Sequence, residues 1–142
     1  VLGTALVNDP ALARAAVELV GGDRLTAGID AKNGEVAVSG WIEGSGVDAA
    51  ELARAMAQAG FVHLVYTDIA RDGMRTGLDP AAYARMAEAF GHPVIASGGV
   101  ASVADIRALA PVAASIEGVI TGRAIYEGTL TVEDGVAACR EV

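Results

Sequence analysis

The chain has 142 residues, a formal net charge of −8 and a pI near 4.6, and its composition is 53% hydrophobic but only 4% aromatic. This acidic balance argues against nucleic acid as a partner, because binding a phosphate backbone requires clustered Lys and Arg. No apolar run reaches the ~20 residues of a membrane span, and the single cysteine, Cys139, has no internal disulfide partner, so we expect a cytoplasmic protein without a membrane partner.

The first predicted unit is a strand followed by a helix. Residues 1–7 form a short apolar run, and Asp9-Pro10 then begins an Ala/Leu-rich stretch that ends at Gly21-Gly22. Asp at an N-cap accepts hydrogen bonds from free amides, Pro is tolerated at the first helical position, and Gly terminates helices. These signals predict a strand over residues 1–7 and a helix that ends at Gly21.

The same strand and helix pattern recurs four more times. Residues 32–41 interrupt it, because they alternate apolar and polar side chains around an Asn33-Gly34 turn and so predict a small β excursion over the strand ends. The further predicted strands cover residues 25–31, 62–67, 93–97 and 119–121, and the further predicted helices begin at Asp48, Asp79, Ser102 and about Val132.

This alternation predicts an α/β domain over residues 1–142, since right-handed crossovers through helices produce a parallel sheet. Two architectures fit the pattern, a doubly wound sheet and a piece of a barrel. The first strand–helix turn lacks the GxGxxG pattern of dinucleotide-binding sheets, which counts against the first architecture.

Four of the predicted strands end in glycine or small polar residues just before a helix. Glycine lets a phosphate approach the main chain, and the amides that follow are free to bind it. Two such loops on consecutive units, the second with an arginine, predict a phosphate site, because barrels bind phosphate after their last two strands. The alternative is that each glycine serves only a tight turn. The four endings are Gly3-Thr4, Asp72-Gly73, Ser97-Gly98-Gly99 and Gly122-Arg123.

Acidic and hydroxyl side chains also lie at predicted strand ends. Asp30 ends one strand, Thr67 ends the next, and Asp72 follows five residues later. Carboxyl ends of parallel strands meet at one mouth, where two carboxyls in different environments can act as acid and base in an aldose–ketose rearrangement. For Asp30 the alternative is a cap on the following turn, although a strand-end carboxylate without partners is costly to bury.

Several motifs together resemble the ProFAR isomerase family of histidine biosynthesis. The motifs are "GTALVNDP", "GIDAKNGEVAVSGW", "YTDIARDG", "VIASGGV", "DIRAL" and "EGVITGRAIYEG", and they span the chain. The resemblance implies a TIM (β/α)8 barrel of which this chain is the C-terminal part, a half-barrel of strands four to eight. It further implies a phosphorylated small-molecule substrate, an aldose–ketose isomerisation, and no metal or organic cofactor.

The resemblance also implies catalytic roles. Asp30 matches the family's acid at the end of strand five, Thr67 the threonine of strand six and Asp72 the carboxylate in the loop after it. The strand-one aspartate, the family's other catalytic group, has no counterpart in this chain. The alternative to an enzyme is therefore a catalytically inactive phosphate-binding half-barrel that self-associates.

Binding roles follow from the same resemblance. Trp41 matches a tryptophan that covers the substrate in a bifunctional branch; the alternative is that Trp41 only packs against the β excursion. In that branch an arginine stands two residues earlier, and Ser39 occupies that position here, which argues against the second activity. Gly3 and Thr4 match part of the other phosphate site. The cradle for one phosphate is matched by Gly73, Ser97, Gly98, Gly99, Gly122 and Arg123. Open barrel edges recruit partners, so we expect a homodimer in which residues 1–7 are the irregular element.

Overall fold

The structure is a computed structural model that describes residues 1–74 and 76–142. Within this part of the chain it has six strands and seven α-helices. The strands are β1 (Thr26–Lys32), β2 (Glu35–Val38), β3 (Glu43–Asp48), β4 (His63–Asp68), β5 (Val94–Ser97) and β6 (Ile116–Ile120). The helices are α1 (Thr4–Asn8), α2 (Pro10–Val20), α3 (Ala49–Ala59), α4 (Pro80–Phe90), α5 (Val103–Arg107), α6 (Arg123–Tyr126) and α7 (Val132–Glu141), with 3-10 turns at Gly22–Arg24 and Ala110–Ser115.

The strands form one sheet in the order β3-β2-β1-β4-β5-β6. Strands β1, β4, β5 and β6 are parallel neighbours, and each is connected to the next through helical segments. Strands β2 and β3 form an antiparallel hairpin that joins the sheet at the end of β1. The predicted α/β class with a mainly parallel sheet is therefore confirmed.

Helices α2, α3 and α4 begin at the predicted aspartates. Asp9, Asp48 and Asp79 each accept hydrogen bonds at 2.9–3.3 Å from two backbone amides of the following turn. Gly60 and Gly91 end α3 and α4 in the left-handed conformation that glycine adopts without a steric penalty. Local capping chemistry thus fixes where α2, α3 and α4 begin and where α3 and α4 end.

The predicted strand over residues 1–7 is wrong. Leu2 makes a single parallel bridge to Ala27, and the chain then turns helical over Thr4–Asn8, where the Asp9 amide donates to the Ala5 carbonyl. A short apolar run cannot be assigned to strand or helix from its periodicity alone, and Ala and Leu favour the helix here.

The predicted β excursion over residues 32–41 is confirmed as β structure, but it extends beyond the predicted residues. Its first arm, β2, ends at Val38, and the chain returns along β3 to the cap of α3 at Asp48. The turn of β1 into β2 lies at Asn33 and Gly34, both with positive φ, as expected for an Asn-Gly turn. The hairpin stands at the edge of the mouth that the parallel strands form.

Only one face of the parallel sheet is fully covered. Ile29, Leu64 and Ala96 point into the helix layer and have no solvent exposure. On the opposite face Val65 and Ile95 are only partly buried. A doubly wound sheet would bury both faces under helices, so the burial pattern favours a piece of a barrel over the doubly wound alternative.

No helix in the two described stretches has both the length and the apolar character needed to cross a membrane.

Candidate active site

One residue from each parallel strand lies in a row across the carboxyl end of the sheet. Asp30 pairs in register with Thr67, Thr67 with Ser97, and Ser97 with Ile120. Neighbouring strands are ~4.8 Å apart, so Asp30 and Ser97 stand about 10 Å apart on the same face. Thr67 and Ser97 are buried polar residues, and Asp30 at the end of the row is half-buried.

A cleft of about 520 Å³ opens above this row. All the predicted site residues line it except Gly3 and Thr4. The predicted residues that line it are Asp30, Trp41, Thr67, Asp72, Gly73, Ser97, Gly98, Gly99, Gly122 and Arg123. These residues come from five segments of the chain and lie together at the carboxyl end of the sheet, as the sequence predicted for residues at the ends of parallel strands.

Sequence reasoning missed three residues that also line the cleft: Val100, Ile120 and Thr121. Val100 and Ile120 are apolar and carried no signal of a site. Thr121 stands directly before the predicted Gly122-Arg123 pair and could have been included on that ground. Its buried hydroxyl has no hydrogen-bond partner within residues 1–74 and 76–142. Rotation of the Thr121 side chain would let this hydroxyl bond to a polar group in the cleft.

Asp30 is held by the hairpin. The Trp41 indole Nε1–H donates to Asp30 Oδ2 at 2.7 Å, and the indole ring itself is 45% exposed. A hydrogen bond to an ionised carboxylate is about twice as strong as one between neutral groups. It orients the carboxyl group and leaves Oδ1 for another partner. The contact of Asp30 is thus with a second predicted site residue, and no hydrogen bond of the cap alternative is found among the described residues.

The turn that carries Trp41 has an uncommon backbone. Ser39, Gly40 and Trp41 have successive φ values of 55°, 69° and 73°. Such values cost about 1–2 kcal/mol for each residue other than glycine, and they concentrate at functional sites. The Ser39 amide donates to Thr4 Oγ1 at 3.3 Å, and the Trp41 amide to the Val38 carbonyl at 3.1 Å.

Gly3 and Thr4 therefore lie beside the hairpin and not in the lining of the cleft. Thr4 supports the strained turn through its hydroxyl, and Gly3 precedes α1. Their assignment to the other phosphate site stays a prediction.

The two aspartates in and after the end of β4 have different surroundings. Asp68 is occupied structurally, because its Oδ1 accepts from the Ala70 amide at 3.1 Å and its Oδ2 lies 3.3 Å from Arg71 Nε. Asp72 is exposed and lines the cleft. Of the two carboxylates in "TDIARDG", Asp72 is the one that lines the cleft, and its catalytic role stays a prediction.

The loop after β5 needs glycine for steric reasons. Gly98 and Gly99 have φ values of 95° and 97°. A Cβ on Gly98 would lie 2.6 Å from the Asp68 carbonyl oxygen, and a Cβ on Gly99 would collide with the Gly77 carbonyl oxygen. Gly99 is also buried, and its amide donates no hydrogen bond to any described residue. A buried amide without a protein acceptor is uncommon and is typical of a site that binds an anion.

The loop after β6 is different. Gly122 has an ordinary φ of −125°, and the nearest atom to a Cβ built there is a ring carbon of Tyr126 at 3.9 Å. Arg123 is anchored to Glu127 Oε1 through Nε at 2.8 Å and to the Gly73 carbonyl through Nη1. These contacts leave N–H groups on both terminal nitrogens for an anion in the cleft.

No group of three or more His, Cys, Asp or Glu side chains among the described residues is arranged to hold a metal ion. The polar groups of the cleft are backbone amides, one guanidinium, hydroxyls and two carboxylates. That set can bind an anion at one end and exchange protons with a ligand at the other.

Comparison with known proteins gives a consistent result. The sequence profile of the family described as "Histidine biosynthesis protein" matches residues 1–131. Three similar curated proteins share the name 1-(5-phosphoribosyl)-5-((5-phosphoribosylamino)methylideneamino) imidazole-4-carboxamide isomerase. They come from Methylobacterium nodulans (49% identical over 141 residues), Chelativorans sp. (47% over 142) and Anaeromyxobacter dehalogenans (48% over 141).

The matches cover 99% of this chain but only 55%, 58% and 58% of those three proteins. The chain thus spans a little over half the length of the curated relatives it matches.

Proposed function

The chain belongs to the histidine biosynthesis protein family, and from that premise we propose that its cleft is one half of the active site of an aldose–ketose isomerase. The observation that carries the proposal is the cleft itself, where a carboxylate, a hydroxyl and two glycine loops from four parallel strands meet. The name of the relatives specifies two phosphoribosyl groups. We therefore propose a substrate of that kind, ProFAR, with one phosphate bound by this chain.

We propose that the sheet is the C-terminal part of a (β/α)8 barrel. Helices cover one face only, and the open face carries Asp30, Thr67 and Ser97, as the interior of a barrel carries its catalytic residues at the carboxyl end. In this assignment β1, β4, β5 and β6 are barrel strands five to eight, and the segment at Leu2 is what this chain has of strand four.

The phosphate is proposed to bind between the loops after β5 and β6. The Gly99 amide, which has no acceptor among the described residues, supports this assignment. The absence of a steric collision at the Cβ position of Gly122 and the remaining guanidinium donors of Arg123 also support it. Gly73 closes the site from the third loop through its carbonyl bond to Arg123. Amides and a guanidinium that are already in place lose little entropy when they bind a phosphate dianion.

Asp30 is proposed to carry the proton transfer that this chain supplies. Conversion of an aminoaldose to an aminoketose needs a proton delivered to the ring oxygen and another removed from the adjacent carbon. Asp30 stands about 10 Å across the sheet from Ser97, at the far end of the cleft from the phosphate loops. Trp41 holds Oδ2, so Oδ1 is the atom that exchanges the proton. Thr67 and Asp72 line the space between and orient the sugar.

The test joins this chain to the part of the Methylobacterium nodulans relative that it lacks and measures turnover of ProFAR. Activity is expected, and Asp30→Asn should lower kcat by about a hundredfold or more, because an amide cannot exchange the proton. Binding without turnover in the joined protein would instead support the alternative, an inactive phosphate-binding half-barrel. Absence of both would refute the proposal.

We also propose that the 142-residue chain by itself forms a homodimer through its open face. Each copy has four parallel strands, β1, β4, β5 and β6, and two copies would supply the eight that close a barrel. Ile120 on the edge strand is 47% exposed, as an unpaired barrel strand would leave it. Residues 1–3 would have to move aside. Light scattering at micromolar concentration should give twice the monomer mass of 14.3 kDa, and a monodisperse monomer would refute the dimer.

A further inference from the structure

A fully buried tyrosine lies beneath the loop after β5. Tyr83 is on α4, on the helix side of the sheet, and has no solvent exposure. Its hydroxyl donates to the Ser97 carbonyl oxygen at 2.8 Å, and the Gly98 carbonyl oxygen lies 3.4 Å from the same hydroxyl. Two successive carbonyls of the loop therefore face the helix layer.

The orientation of these carbonyls determines the orientation of the following amides. In a trans peptide the carbonyl of one residue and the amide N–H of the next point in opposite directions. Because the Gly98 carbonyl faces Tyr83, the Gly99 N–H must face away from the helix layer, toward the cleft that Gly99 lines. With φ near 95° and no Cβ, the two glycines could otherwise rotate this peptide at low cost.

We propose that Tyr83 is a positioning residue for the loop after β5, which it holds with the Gly99 amide directed into the cleft before any ligand arrives. This inference rests on the proposed function insofar as the ligand is a phosphate. Tyr83 itself never touches that ligand; it acts through the two peptide planes. Burial raises the pKa of Tyr83 well above its usual value, so the hydroxyl remains a donor at neutral pH.

The chain offers a matched control in Tyr66. This residue is on β4, is 5% exposed, and packs edge-on against Tyr83 with ring centroids 5.8 Å apart. Its hydroxyl makes no hydrogen bond to any residue within 1–74 and 76–142, and it borders a separate cleft between α3 and α4. Replacing either tyrosine by phenylalanine removes one hydroxyl from a largely buried side chain, but only Tyr83→Phe releases the loop.

The first measurement uses the ligand-free chain and does not depend on phosphate. In Tyr83→Phe, the NMR signals of the Gly98 and Gly99 amides should shift, since loss of one hydrogen bond of this kind frees the peptide planes. Tyr66→Phe should leave both unchanged. Unaltered Gly99 signals in Tyr83→Phe would overturn the inference.

The second measurement is titration with inorganic phosphate. Tyr83→Phe should weaken phosphate binding by about fivefold to tenfold, the cost of ordering the loop on binding, while Tyr66→Phe binds like the parent chain. Equal binding by both variants would overturn the positioning role. If the parent chain binds no phosphate but Tyr83→Phe still perturbs Gly99, the proposed function fails and the loop-orienting role of Tyr83 stands.

Discussion

The loops after β5 and β6 both bring glycine to the cleft, but the two loops need glycine for different reasons. Gly98 and Gly99 occupy backbone conformations and close contacts that no other residue could adopt without a shift of the main chain. Gly122 has a negative φ of −125°, and a Cβ built there would make an ordinary van der Waals contact with a ring carbon of Tyr126 at 3.9 Å. The first loop needs glycine because a side chain would collide with the main chain, whereas a methyl group at Gly122 meets no such collision.

This difference separates two explanations that the sequence alone left open at every glycine. A turn glycine and a ligand-contact glycine look the same in "SGG" and "TGR". The steric surroundings distinguish them, because a glycine whose Cβ position meets no collision leaves room for a ligand to approach the main chain. The proposed phosphate site thus depends most on Gly122, and the β5 loop contributes through an orientation that Tyr83 fixes.

The largest expected effect is on stability, at Gly99. Gly99→Ala should lower the free energy of unfolding by about 2–4 kcal/mol, because it adds a backbone collision with Gly77 to an unfavourable positive φ. Gly128→Ala is the control: Gly128 has a positive φ of 74° but open space around its Cβ position, so it should cost only about 1 kcal/mol. Urea denaturation measures both, and equal losses would mean that the collision is relieved by a small movement.

The smaller effect at Gly122 should appear mainly in binding. Gly122→Ala should lower the free energy of unfolding by at most about 1 kcal/mol, the loss expected for alanine at a helix N-cap, yet weaken phosphate binding about tenfold, because the new methyl group lies where the phosphate approaches. Gly118→Ala on β6 is the control, since its Cβ position has no neighbour within 4 Å and lies outside the lining of the cleft. Unchanged phosphate affinity in Gly122→Ala would mean that Gly122 does not contact the phosphate, and the proposed difference between the two glycine loops would be wrong.

Much of this cleft was predictable because its residues lie at strand ends marked by strong local signals. Asp48 and Asp79 cap helices in ways that depend only on nearby residues, so the starts of these helices followed from the sequence. Parallel strands then bring their carboxyl ends together whatever their order, which is why Asp30 and Gly122 could be assigned to one mouth without knowledge of the sheet.

Other features depend on contacts between distant residues and could not be predicted. The helical turn at Thr4–Asn8 replaces an expected strand because tertiary context decides short apolar runs. The hydrogen bond from Trp41 to Asp30 requires the left-handed turn of the hairpin, and the role of Tyr83 requires α4 to pack beneath β5. None of these pairings has a local sequence pattern.

The smallest expected effect tests whether an unpaired hydroxyl at the end of β6 lowers the stability of the fold. The Thr121 hydroxyl is buried at the cleft without a described partner, and an unsatisfied buried hydroxyl is destabilising. Thr121→Val keeps the shape and removes the hydroxyl, so the free energy of unfolding should rise by about 0.5–1 kcal/mol. Thr129→Val should change it in the opposite direction by a similar amount, because that hydroxyl donates to the Ala101 and Ala124 carbonyls. A loss of stability in both variants would mean that the Thr121 hydroxyl forms a hydrogen bond in solution. The β6 loop would then contain no unpaired buried hydroxyl, and in this respect it would not differ from the loop that Tyr83 holds.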